Sequence, residues 1–146
     1  MTTIPCANQQ PKPDLQDMPQ PILAIGFYAY EITPVGSMVT CNPPPDNIAS
    51  NIDYLAYVGS LKEFETTALA LGWKLGGSLP TDEYAIPPHH RFRSVTLERY
   101  NVIATESEEF NRRFLAATSV AKRLNLLHKD DRIALFQAVL YGRSVS

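Results

Sequence analysis

Two short stretches of this chain combine residue types and spacing that can do chemistry: Gly36-Ser37 and, further on, Asn51-Ile52-Asp53. Residues two apart on a strand project to the same face, so an amide, Asn51, is expected to stand beside a carboxylate, Asp53. A glycine lets the backbone approach a phosphate closely, and a serine hydroxyl with neighbouring amides can donate to phosphate oxygens. Taken alone, Gly-Ser is an ordinary turn dipeptide. A second pair, Arg91 and Arg93, lies two apart in an alternating stretch and is expected to share a face. Two guanidinium groups so placed can grip a phosphate, or they can simply line a solvated strand edge.

Other reactive residues assemble into less. His89 and His90 are adjacent, so on an extended segment they point to opposite sides, and His128 is the only other histidine. That is not a zinc set. Ser37, Asp53 and a histidine do not read as a hydrolase triad, because nothing like a nucleophile elbow surrounds Ser37. Gly72-Trp73-Lys74-Leu75-Gly76-Gly77 lacks the Gly-Lys-Ser/Thr ending of a phosphate loop. Tyr28, Tyr30, Tyr54 and Tyr57 have strand spacing and read as sheet packing. Arg112-Arg113 and Lys122-Arg123 read as solvated helix surface.

These residues have to be positioned by a chain of 146 residues, the size of one domain. Its 45 % hydrophobic and 19 % charged content is that of a globular protein rather than a disordered one. A formal charge of −2 gives no broad electrostatic attraction to nucleic acid or an anionic membrane. No apolar run approaches the roughly 18–20 residues of a membrane span. The N-terminus has no basic segment leading into an apolar one, so no secretory signal is expected. Cys6 and Cys41 make neither a disulfide framework nor a four-ligand metal site. A reduced, cytoplasmic protein is expected.

Residues 1–21 hold five of the twelve prolines and read as an extended or disordered arm, with the domain at 22–146. A strand is expected over about Phe27–Ile32, then the Gly36-Ser37 turn and a stiff loop through Cys41-Asn42-Pro43-Pro44-Pro45. Asn51–Val58 carries bulk on both faces, as an interior strand does. Ser60 and Glu63 have capping-box spacing ahead of a helix over 61–71, with Gly72 as its left-handed stop. Trp73-Lys74-Leu75 is a short strand, and 78–90 is irregular. Arg91–Leu97 and Tyr100–Thr105 make a hairpin turning at Glu98-Arg99. Two helices follow, the first capped by Thr105 with the stripe Phe110, Phe114, Ala117, Ala121 and Leu124. The second is capped by Asp130 or Asp131 and stopped by Gly142. The expected class is α/β (α+β), a mixed sheet of about four or five strands flanked by helices.

This order resembles the polymerase-β-type nucleotidyltransferase superfamily, in which a Gly-Ser turn precedes a strand opening with two acids one position apart. The resemblance covers roughly residues 25–105. The stretch from Glu109 to Gly142 is similar to the ending of small phage-encoded proteins of this fold, which implies host cytoplasm as the location. The resemblance implies a nucleotide as ligand and Gly36, Ser37, Asn51, Asp53, Asn101, Arg91 and Arg93 as its binding residues. Two acids on one strand face would chelate Mg²⁺, and the metal would neutralise charge developing on the transferred phosphate. Here Asn51 stands at the first acid position and Asn101 at the third, leaving Asp53 as the metal ligand and catalytic residue. Glu98 and Asp46 are the acids able to substitute. One carboxylate with two amides is a poor Mg²⁺ site. The expected role is therefore a catalytically degenerate scaffold that binds a host protein or small ligand. The alternative is an active Mg²⁺-dependent enzyme moving an NMP group from an NTP to a protein, nucleic-acid or small-molecule acceptor.

Overall fold

A computed structural model describes residues 18–26, 28–45, 51–76 and 92–142 of the chain. The first element is a helix, α1, Gln20–Gly26. Prolines suit its start, because the first turn has no use for their missing N–H groups. The Pro19 carbonyl instead accepts from the amides of Ile22 and Leu23, both at 3.0 Å. Ile22 and Ile25, one turn apart, are wholly buried, and Met18 joins them at 6 % exposure. Folded structure thus begins ahead of the boundary at 22 expected from proline content. The apolar faces of Met18, Ile22 and Ile25 outweigh the prolines between them.

Strand β1, Ala29–Val35, starts and ends later than the expected Phe27–Ile32; Phe27 lies outside the described residues. A single-turn helix, α2, Ser37–Thr40, follows Gly36 directly. Residues 41–45 then have no regular structure, as three successive prolines require. Strand β2, Ile52–Val58, precedes helix α3, Leu61–Ala70, and strand β3, Lys74–Leu75. Strands β4, Arg93–Leu97, and β5, Tyr100–Thr105, form the expected hairpin. Its turn holds Glu98 at a φ of 56°. Helices α4, Glu108–Leu124, and α5, Lys129–Tyr141, complete the fold.

The sheet order is β1-β2-β5-β4-β3. Strand β2 runs antiparallel to β1 and parallel to β5, and the remaining pairs are antiparallel. The sheet is therefore mixed and five-stranded, with helices on both faces. Alternation along β2 serves both cores, which is why its sequence is bulky throughout. Tyr54, Ala56 and Val58 pack with Ile22, Ile25, Phe64 and Ala68 beneath α1 and α3. Leu55, with Val35 and Ile103, packs on the other side against Phe110, Phe114 and Phe136 of α4 and α5. Each fully buried ring or branched side chain contributes about 1.5–3 kcal/mol relative to exposure. Among the described residues no helix is long and apolar enough to cross a membrane.

Helix ends follow local chemistry with two corrections. Ser60 caps α3, its hydroxyl accepting from the Glu63 amide at 3.2 Å, and Gly72 has a φ of 96°. The cap of α4 is Ser107, which accepts from the Phe110 amide at 3.1 Å, rather than Thr105. Thr105 ends β5 and its hydroxyl accepts from the Ser107 amide at 3.0 Å, so strand pairing has taken the residue the spacing favoured. Helix α5 starts at Lys129 with His128 in the cap position, and Asp130 and Asp131 sit in its first turn. There they face the positive end of the helix dipole without capping it.

The segment after α2 is clamped to the end of α4. Asn125, in the left-handed conformation, accepts from the Asn42 amide at 2.8 Å and donates from Nδ2 to the Asn42 carbonyl at 3.0 Å. Behind it, buried Arg132 donates to the carbonyls of Leu126 and Leu127, both at 3.0 Å, and lies 3.5 Å from Cys41 Sγ. The base of the Gly36-Ser37 helix thus rests on the α4–α5 connection.

Candidate functional site

Gly36 must be glycine for two reasons. Its φ of 81° lies in the left-handed region. An added Cβ would also fall 2.8 Å from Asp53 Cβ and collide with the carboxylate. The register explains the approach: Val35 pairs with Asp53, so the chain leaves β1 directly beside that side chain. Ser37 opens α2 at the same corner. The Gly-Ser turn and the acid are brought together.

Asp53 also pairs with Asn101 across the parallel β2–β5 ladder. The Asn101 Nδ2 donates to Asp53 Oδ1 at 3.1 Å, and Ser94 Oγ donates to Asn101 Oδ1 at 2.8 Å. A carboxylate only accepts, so the amide must turn its nitrogen toward Asp53 and its oxygen toward Ser94. The three side chains are half-buried and form one polar row over β2, β5 and β4. They share the sheet face of Leu55 and Ile103, toward α4 and α5. At the far end of the row Gly76 donates its amide to the Ser94 carbonyl at 2.6 Å. A Cβ on Gly76 would lie 2.8 Å from Ser94 Oγ. A glycine therefore abuts each end.

The other expected residues are placed elsewhere. Asn51 is exposed, one residue ahead of β2. Arg93 stands on the opposite face, the side of Val95 and α3, where its Nε lies 3.1 Å from Glu65 Oε2. It does not join Gly36, Ser37, Asp53 and Asn101. Glu98 is exposed in the hairpin turn. Arg91, His89, His90 and Asp46 lie outside the described residues. Ser94 was not among the expected site residues. Its signal was available in the hairpin, because alternation from the Glu98-Arg99 turn puts Ser94 and Asn101 on one face.

Among the described residues the donor set at this corner is a poor one for a divalent cation. Asp53 is the single carboxylate in the polar row, and its Oδ1 is engaged by an N–H donor where a cation would need a second anionic oxygen. Among the described residues no group of three histidine, cysteine or acidic side chains is arranged to hold a metal. On the reverse face, burial pushes the Tyr54 phenol above its ordinary range, and neighbouring Tyr100 adds to the shift. Comparison of the chain with protein-family models, with curated proteins and with solved structures finds no match in any of the three.

Proposed function

We propose that this protein is a nucleotidyltransferase-like scaffold that has exchanged metal-dependent transfer for binding, its ligand a host protein or a small molecule held near Gly36-Ser37. One observation carries the reading: the amide of Asn101 donates to Asp53 at 3.1 Å. In the family that the sequence order resembles, that neighbour would be the third acid, and cations would offset the repulsion between the carboxylates. Here a neutral amide satisfies the carboxylate directly. A lone carboxylate beside an amide and a hydroxyl does not fit Mg²⁺.

The test is thermal unfolding with millimolar ATP, with and without Mg²⁺ or Mn²⁺. The expected result is no metal-dependent rise in melting temperature. A rise that requires both nucleotide and metal and is lost in Asp53→Ala would overturn the proposal and favour the metal-dependent alternative.

A further inference from the structure

Tyr28 and Tyr30, which by spacing were expected to pack in the sheet, are 40 % and 66 % exposed. Tyr30 is nonetheless held in place. Its ring meets Tyr57 edge-on with centroids 5.3 Å apart, and a Cβ on Gly59 would lie 2.6 Å from its hydroxyl oxygen. Two adjoining depressions open here beside the first turn of α3, of about 400 and 530 Å³, and both are lined by Tyr28, Ser60 and Glu63. The smaller adds Tyr30 and Gly59, and the larger adds Lys62 on its wall.

Electrostatics decides what such a surface attracts. A helix N-terminus ordinarily draws an anion, but here two of its first amides, those of Leu61 and Glu63, already have acceptors. Glu106 Oε2 accepts from the Leu61 amide at 2.6 Å, and Ser60 Oγ takes the Glu63 amide. Glu106 thus supplies the negative charge that the helix dipole favours. Among the described residues the wall of the smaller depression holds two aromatic rings, one carboxylate and no basic side chain. Ring faces and a carboxylate both attract a cation.

We propose that this smaller depression binds the guanidinium group of an arginine on a partner protein. Arginine fits better than lysine because its planar head can stack on a tyrosine face while its fork meets the Glu63 carboxylate. Recognition falls to the side chain rather than to strand addition, although β1 is an edge strand. Pro34 withholds one N–H from that edge, and the ladder register shifts between Ala29 and Glu31. The depression shares no lining residue with the Gly36–Asp53 site.

The probe is a blocked tripeptide, acetyl-Ala-Arg-Ala-amide, titrated into the ¹⁵N-labelled full chain. Saturable shifts are expected at the Gly59, Ser60 and Glu63 amides, weakening as salt is raised. Glu63→Gln should reduce affinity roughly 2–5-fold, as should Tyr30→Ala. The Glu63 side chain is exposed and its capping contact is through the backbone amide, so Glu63→Gln tests the site without disturbing the fold. Absence of saturable shifts, equal binding of the Ala-Glu-Ala or Ala-Ala-Ala peptide, or unchanged affinity in Glu63→Gln would each overturn the proposal.

Discussion

Asp53 and Asn101 face each other across the parallel β2–β5 ladder, and the amide nitrogen of one satisfies the carboxylate of the other at 3.1 Å. The two residues are 48 positions apart in sequence, yet their contact determines the charge of the polar row. With an amide at 101 the row carries one carboxylate rather than two.

Asn101→Asp should turn this contact into a like-charge pair. Loss of the donor and the added repulsion are expected to destabilise the protein by about 1–3 kcal/mol at pH 7, read from urea unfolding. The penalty is fully present while both carboxylates are ionised and should fade as pH falls toward about 4. Millimolar Mg²⁺ or Mn²⁺ should restore stability to the variant and leave the wild type unchanged. Wild-type stability of Asn101→Asp at pH 7 without added cation would contradict the facing geometry.

Gly36→Ala should be costly for a small change. The backbone at φ 81° costs about 1–3 kcal/mol for a residue with a Cβ. Collision with Asp53 adds to this. Because part of the cost is that collision, Asp53→Ala in the same chain should recover some of it, giving a coupled double-mutant cycle. Strict additivity of the two changes would show that Gly36 is required for its conformation alone.

Asn125 tests the clamp beneath the Gly-Ser helix. Asn125→Gly keeps the left-handed conformation at φ 52° but loses both hydrogen bonds to Asn42. The bonds are exposed, so a loss of about 1 kcal/mol is expected, together with faster hydrogen exchange at the Asn42 amide. Asn125→Ala should cost about 1 kcal/mol more, because alanine is strained in that conformation. Equal stability of the two variants would mean that the cap geometry contributes nothing. An unchanged Asn42 exchange rate in Asn125→Gly would remove the clamp.

Features governed by near neighbours were legible before folding. Ser60 and Gly72 bracket α3 because a cap and a left-handed stop act within one turn, and Glu98-Arg99 turns the hairpin because alternation reverses there. The stripe of Phe110, Phe114, Ala117 and Ala121 is buried as its spacing requires, whereas Leu124, at the last turn, is 61 % exposed. Local rules misled where two residues of similar chemistry competed or where burial overrode composition. Thr105 lost the α4 cap to Ser107 because β5 needed it, and Pro19 and Pro21 masked a helix that is anchored by Ile22 and Ile25.

The sequence by itself determined that position 53 carries a carboxylate while positions 51 and 101 carry amides, since residue identity carries charge. Tertiary structure alone decided which groups meet. Strand pairing sets Asn101 against Asp53, adds Ser94 to the row and turns Arg93 to the opposite face toward Glu65. A strand's alternation says which of its residues share a face. Only the register against its neighbours says which face, and opposite what.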